Sequence, residues 1–385
     1  MKEFVKADKI GLVYSGNNYF ELLEQIIDES NEVLQFQTYI FNTDETGMRI
    51  VEALKRAAAR NVLVYLMIDA FGSHSFSRHV IKDLITSGIH FRKFSPLFSS
   101  ESIFFGRRLH HKIIVADKRI ALTGGINVAD KYNAGEEKPW LDYGILTEGT
   151  VCEYLHILCE NAYKKRTVTP LTLWERSIVE SQSKATKKLV SFRINDWIKN
   201  KNEIYNSYIK ALKNASSSIT IISSYFLPDG KIRKLLLAAV KKGVEVKIIL
   251  AGRSDVTSVR LAENYLYDFY LKNKINVYEW GNSVMHGKAM IIDNDWATIG
   301  SYNINFLSRY ISIELNTEVR DVVFVNTFTE HIDKIIKTGC KQVKETVYRK
   351  RRNLFYRVKT WLAYNFYRLL MDVLVSKRGR KKTKQ

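Results

Sequence analysis

Apolar residues recur along this chain at two spacings, and the order in which the spacings alternate is itself repeated. Tyr19–Ser30 carries apolar side chains at helical intervals, and Val33-Leu-Gln-Phe-Gln-Thr-Tyr-Ile-Phe41 reads as a strand. Asp44-Glu-Thr-Gly47 predicts a turn whose acidic residues begin the helix over 48–60, with Ile50, Leu54 and Ala57 on its buried stripe. Val62–Ile68 then has the length and continuity of a buried strand. The second half repeats the series as a strand at Ser218–Tyr225, a helix at Lys231–Lys242 and a strand at Val244–Leu250. Ala57-Ala-Ala-Arg-Asn-Val-Leu-Val aligns with Ala238-Ala-Val-Lys-Lys-Gly-Val-Glu-Val at a shift of 181 residues, with one residue inserted. Alternating elements with short connections predict an α/β fold, and their repetition predicts two α/β lobes packed about a pseudo-twofold axis. Lys164–Arg193 mixes Thr, Ser, Lys and Gln without periodicity. The expected division is therefore a first lobe at 1–170, a linker at 171–195, a second lobe at 196–345 and a tail at 346–385.

Composition changes this picture in two places. The 385 residues are enough for two substantial cores, and 46% hydrophobic content is ordinary for a globular chain. Cys152, Cys159 and Cys340 have no zinc-ligand spacing and leave one thiol over in any pairing, which points to a reducing compartment. The N-terminal residues form no signal-like apolar segment, and no run reaches 18 uninterrupted apolar residues, so neither secretion nor a spanning helix is expected. Residues 341–385 hold fifteen Lys and Arg against Glu345 and Asp372, a net +13 of the chain's +20, so the first 340 residues carry only +7.

The chemistry lies in a second, tighter repeat. His110-His-Lys112-Ile-Ile-Val-Ala-Asp117 returns 176 residues later as His286-Gly-Lys288-Ala-Met-Ile-Ile-Asp293. In an extended chain His110 and Lys112 face the same way while His111 faces the other, and His286 and Lys288 do likewise across Gly287. Seven positions after each Asp begins a small-residue element, Gly124-Gly125-Ile-Asn127 and Gly300-Ser301-Tyr-Asn303, suited to close approach of an anion. Two His, two Lys and two Asn meeting across the axis would hold a phosphate with two ester oxygens. Asp117 and Asp293, although part of the catalytic motif, fit best as organisers of the turn at each strand end. His74, His79, His90, His111, His156 and His331 lack such a context and are read as structural. Lysines beside the histidines repel a cation and favour an anion, so no metal and no cofactor is expected.

Paired imidazoles suggest a double displacement. One neutral ring attacks phosphorus and forms a phosphohistidine while the other gives its proton to the leaving alkoxide, and the roles reverse when water or an alcohol enters. Lys112, Lys288, Asn127 and Asn303, with Gly125 and Ser301 beside them, would stabilise the nonbridging oxygens. Asp142 and Glu314 sit on later strands of their halves, where they could orient the facing imidazole, with Glu318 a rival to Glu314 on the same face.

These motifs, with Gln37-Thr-Tyr-Ile-Phe-Asn-Thr-Asp-Glu-Thr-Gly47, Thr123-Gly-Gly-Ile-Asn-Val-Ala-Asp130, Tyr225-Phe-Leu-Pro-Asp229 and Ser254-Asp255, resemble the phospholipase D superfamily in its bacterial cardiolipin synthase branch over about residues 15–320. The resemblance implies a two-lobed fold with a shared cleft, metal-independent chemistry, His110 as nucleophile and His286 as acid/base. It also implies that Asp142 and Glu314 pair with the histidines of the opposite lobe. The expected reaction joins two phosphatidylglycerol molecules through a phosphatidyl-histidine and releases glycerol. The alternatives are hydrolysis of a phospholipid to phosphatidic acid and a metal-independent nuclease or phosphodiesterase. The sequence departs from the branch in two respects: no N-terminal pair of spanning segments is expected, and Asn303-Ile-Asn305-Phe-Leu-Ser308 with Ser312-Ile-Glu314 stands where the family has Asn-Leu-Asp-x-Arg-Ser with Asn-x-Glu.

Leu354–Val375 offers another route to a membrane. Leu354, Val358, Leu362, Phe366, Leu370 and Val373 recur at helical spacing, Arg349-Lys-Arg-Arg352 precedes them and Lys377-Arg-Gly-Arg-Lys-Lys-Thr-Lys384 follows. This predicts an amphipathic helix between two basic clusters, with anionic phospholipid as partner and a peripheral location on the cytoplasmic face of a bacterial inner membrane. Nucleic acid is the weaker alternative partner, because so little of the charge lies outside the tail.

Overall fold

A computed structural model describes residues 4–95, 107–133, 138–165, 188–196, 199, 201–346, 348 and 353–382, with backbone alone at 307 and 371–382. The first half runs β1 (Val5–Lys6), β2 (Lys9–Tyr14), α1 (Asn17–Asp28), β3 (Val33–Thr38), α2 (Glu45–Ala59), β4 (Leu63–Asp69) and α3 (Arg78–Thr86). It continues with β5 (His90–Phe94), β6 (Arg108–Leu109), β7 (Lys112–Ala116), β8 (Ile120–Gly124), β9 (Tyr143–Glu148) and α4 (Cys152–Tyr163). The second half begins with β10 (Leu189–Asp196), β11 (Lys201–Asn202), α5 (Glu203–Asn214), β12 (Ser218–Ser223), α6 (Gly230–Lys241), β13 (Glu245–Ala251) and α7 (Thr257–Lys272). Then follow β14 (Asn276–Trp280), β15 (Lys288–Ile292), β16 (Trp296–Gly300), α8 (Phe306–Tyr310), β17 (Ser312–Arg320), α9 (Val322–Gly339), β18 (Cys340–Gln342) and α10 (Leu354–Lys382).

The duplication extends to strand order. One sheet is ordered β2-β9-β8-β7-β3-β4-β5, and the other contains the matching path β10-β17-β16-β15-β12-β13-β14. Both sheets are mixed: β3 and β4 are parallel, as are β12 and β13, while β7 and β15 run antiparallel to β3 and β12. The chain is therefore two α/β lobes with mixed sheets, as its alternating pattern predicts.

Period-2 alternation explains how the sheets pack. Ile113, Val115 and Ala121 face a core shared with Ala289, Ile291 and Ile299 of the second lobe, whereas Ile114, Ala116 and Leu122 face the helices of the first. Strands covered on both faces need apolar residues at nearly every position, and β7 and β15 have them. Asp44 caps α2 by accepting from Gly47 N at 3.0 Å, confirming the predicted turn.

Three boundaries differ from those read in the sequence. β10 begins inside the expected linker because it pairs eight residues with β17, and residues 166–187 of that segment lie outside those described. β1 and β6, from the first half, pair with strands of the second sheet, so the lobes are interleaved. The tail is not separate either: α10 lays Ala363, Tyr364 and Tyr367 against the second-lobe core, Tyr364 stacks on Tyr265 and Tyr367 Oη lies 2.7 Å from Ser258 Oγ. Its other side exposes Leu354, Phe355, Val358, Trp361, Leu362, Phe366 and Leu369. Among the described residues no helix is long and apolar enough to cross a membrane. The basic cluster 349–352 and the side chains of 377–384 lie outside the description.

Candidate active site

Backbone pairing between the lobes places the two histidines. Leu109 pairs with Ile313, and His110 N donates to Ile313 O at 2.9 Å. On the other side Leu141 bridges Met285, and His286 N donates to Leu141 O at 2.8 Å. Each catalytic-motif histidine is thus tied to the residue just before a carboxylate of the opposite lobe, Glu314 in one case and Asp142 in the other. The two carboxylates are equivalent by register: Gly124 pairs with Gly144 and Gly300 with Asn316, so each acid stands two residues before its pairing partner. Glu318, the rival, is instead held by Arg193 Nε at 3.0 Å.

His110 Nδ1 lies 2.8 Å from Glu314 Oε2, and His286 Nδ1 lies 2.6 Å from Asp142 Oδ2. An ionised carboxylate only accepts, so His110 Nδ1 carries the proton and its Nε2 is the nitrogen left for chemistry, while His286 Nδ1 meets both the Asp142 carboxylate and, at 2.7 Å, Lys288 Nζ. The lysines fold back alike, Lys112 Nζ onto His110 O at 2.5 Å and Lys288 Nζ onto His286 O, with Lys288 Nζ also 3.6 Å from Asp142 Oδ2. His111 faces away and meets Gln37 Oε1 at 2.9 Å, as the alternation requires.

Burial sets the electrostatics. It lowers both imidazoles, His286 further than His110; Lys288 and Lys112 add to the shift at His286, while Glu314 opposes it at His110. Burial and then Lys288 depress the Lys112 ammonium to about 7, and Lys288 is lowered by burial against the pull of Asp142. The Asp142 carboxyl is pushed up to about 6 by burial, against Lys288. Burial therefore favours neutral rings beside desolvated cations, a setting that an anion relieves.

Several residues expected to touch phosphate do other work. A Cβ at Gly125 would lie 2.6 Å from Asp142 Oδ2, and its N–H already donates to Tyr143 O, so Gly125 makes room for the carboxylate. Ser301 Oγ donates to Glu314 Oε2 and accepts from Leu315 N at 3.1 Å. Asn127 accepts from Ile40 N at 3.1 Å and donates to Tyr132 Oη at 2.9 Å, bracing a phenol that stands 3.3 Å from His286 Nδ1. Asn303 Oδ1 accepts from Ser224 Oγ at 2.8 Å, and its amide nitrogen makes no hydrogen bond among the described residues. Asp117 and Asp293 are not at the site. They hold left-handed turns at the far strand ends, where Asp117 accepts from the backbone N–H groups of residues 31–33 and Asp293 from those of 216–218.

Four neighbours escaped the sequence reading. Tyr132 and Trp140 wall in His286, and the Tyr39 ring meets His110 edge-on with centroids 4.7 Å apart. Asp69 accepts from Leu109 N at 2.9 Å and steadies the approach to His110. Tyr39 was within reach, since it lies in the matched Gln37-Thr-Tyr stretch; Tyr132 had no periodic signal.

Comparison with known proteins gives the family and the fold. The family described as "Cardiolipin synthase, PLD-like domain" matches residues 23–137 and 208–336. The chain is 30% identical over 371 residues to cardiolipin synthase B of Escherichia coli strain K12, covering 94% of this chain and 88% of the relative. It is 26% identical over 382 residues to cardiolipin synthase 1 of Bacillus anthracis, covering 94% and 72%. The crystal structure of phosphatidylserine synthase from Haemophilus influenzae Rd KW20 superposes with a TM-score of 0.73 at 15% identity, over 97% of this chain and 96% of that one, which establishes a shared fold.

Proposed function

The chain belongs to the cardiolipin synthase, phospholipase D-like domain family, and from that premise we propose that it joins two phosphatidylglycerol molecules and releases glycerol. At the coarser level it is a phospholipid phosphatidyltransferase. The carrying observation is the pair of histidines, each locked at Nδ1 by a carboxylate from the opposite lobe, with a lysine beside each.

The reaction runs in two displacements. His110 Nε2 attacks phosphorus, the phosphorus–oxygen bond to glycerol breaks, and His286 gives its proton to the departing alkoxide. A phosphatidyl-histidine remains on His110. His286, now neutral, takes the proton from the hydroxyl of a second phosphatidylglycerol, whose oxygen displaces His110 and completes cardiolipin. Lys112, Lys288 and the Asn303 amide face the charge that grows on the nonbridging oxygens. Asp142 and Glu314 stabilise whichever imidazolium forms.

Access to lipid falls to α10. Its exposed stripe from Leu354 to Leu369 suits the boundary between headgroups and acyl chains, and the basic residues that follow suit an anionic leaflet such as a cytoplasmic one. The test is incubation of purified protein with phosphatidylglycerol vesicles and mass analysis of the lipids. Cardiolipin with an equivalent of glycerol is the expected result. Phosphatidic acid would make the enzyme a hydrolase, and untouched lipid with cleaved nucleic acid would refute the lipid reading.

A further inference from the structure

We propose that the seam between α10 and the second lobe is a second binding site, apart from the histidine cleft, that takes the phosphodiester headgroup of an anionic phospholipid. The proposal rests on the lipid reading above for its choice of ligand. A cavity of about 260 Å³ opens there, lined by Leu227 and Phe306 of the second lobe, by Tyr364 and Tyr367 of α10, and by Arg233 and Arg368. That is below the ~300–1,000 Å³ of sites that enclose a whole drug-sized ligand, so it fits a headgroup rather than an entire lipid.

The charges in the seam call for an anion. Neither Arg233 nor Arg368 makes an ion pair among the described residues, and Arg233 Nε is buried with no hydrogen-bond partner. A guanidinium without a carboxylate partner is satisfied by phosphate oxygens through charge-assisted bonds to its terminal nitrogens. The one carboxylate lining the cavity, Asp229, is already spent: it accepts from Arg309 Nη1 at 2.8 Å, Tyr205 Oη at 2.6 Å and the N–H groups of Lys231 and Ile232.

Location points to lipid as the source. Arg368 is flanked along α10 by exposed Phe366 and Leu369, so a headgroup in the seam leaves its acyl chains beside the apolar stripe. The cavity also touches the loop that bears Asn303, through Phe306 and through the bond from Leu227 N to Ile304 O at 2.9 Å. Occupation of the seam therefore bears on the catalytic loop without entering the cleft.

The test uses the full chain carrying His110→Ala, which cannot turn over, titrated with monomeric dihexanoyl phosphatidylglycerol. Two equivalents should bind. Adding Arg233→Gln and Arg368→Gln should weaken one of them by ~10-fold or more and leave the other unchanged, since charge-assisted bonds are lost at one place only. Arg233→Lys with Arg368→Lys should restore part of the loss. A single equivalent in the parent protein, two undiminished equivalents in the Gln variant, or loss of both together would each overturn the proposal. Inorganic phosphate displacing the seam equivalent as well as the lipid does would also overturn it, by showing a phosphate site with no preference for lipid. Because the titrated protein is inert, the outcome is independent of whether the active enzyme makes cardiolipin.

Discussion

Replacing Gly125 by alanine tests the claim that this glycine exists to admit a carboxylate. Its φ is outside the left-handed region, so the substitution is tolerated by the backbone and its effect is steric. The new Cβ would press on Asp142 Oδ1 and stand 2.6 Å from its Oδ2 and 2.8 Å from its Cγ, well inside the 3.4 Å where ordinary contact begins. Asp142 has nowhere to go, since it is fully buried and bonded to Tyr143 N at 2.8 Å and to His286 at 2.6 Å. The whole carboxylate must therefore shift, and with it the Oδ2 that orients the imidazole. A misplacement near 1 Å lowers turnover on the order of 10²-fold, while overpacking costs roughly 1–3 kcal/mol of stability. Turnover of phosphatidylglycerol vesicles and a melting curve measure the two effects. The decisive comparison is Gly125→Ala introduced into Asp142→Ala, where no carboxylate remains to be pushed and the added loss should shrink to within about threefold, or ~0.6 kcal/mol. Equal losses in both backgrounds would refute the reasoning.

Three further outcomes are expected. Lys112 titrates near 7 in the fold against 10.5 when free, so between those values the unfolded chain binds more protons and stability gains from this group as pH rises; Lys112→Met should raise the melting temperature at pH 7 and lower turnover, and a variant that melts lower at pH 7 would contradict the assignment. Rapid quenching at neutral pH followed by peptide mass analysis should find the phosphatidyl group on His110, whose side chain is 17% exposed against 9% for the ring-enclosed His286; recovery on His286 reverses the roles. Truncation after Leu370 should leave the melting temperature unchanged while weakening association with anionic vesicles, since each basic residue near headgroups contributes about 1 kcal/mol; removal from residue 353 onward should also destabilise the second lobe, because Thr360, Tyr364 and Tyr367 go with it.

The sequence carries the strands and the histidines strongly because both depend on short-range pattern. A run such as Lys112-Ile-Ile-Val-Ala can be buried on both faces only as an inner strand, and the i, i+2 spacing of His and Lys fixes a common face. The roles of Gly125, Ser301 and Asn127 depend on which atoms arrive from the opposite sheet, and no local spacing encodes that. Small residues beside the motif suggested room for phosphate, whereas the space is taken by Asp142 and Glu314. The tail shows the same division: the helical period of its apolar residues is legible, but the tyrosines that fasten α10 to α7 interrupt no pattern.

Charge balance connects the buried site to its chemistry. Two carboxylates and two lysines from the two lobes face one another, while burial lowers both imidazoles and weakens the charge on Lys112. A phosphodiester brings one further negative charge into this low-dielectric space, where an uncompensated charge is strongly unfavourable. A proton on Lys112 or on an imidazole answers it, and the Asp142 contact makes His286 a place that can hold one. In the proposed mechanism, substrate binding and formation of the general acid are then one event, and a ring that burial holds neutral becomes the proton donor. Because each histidine is positioned by backbone bonds to the opposite lobe, neither half alone can assemble that balance.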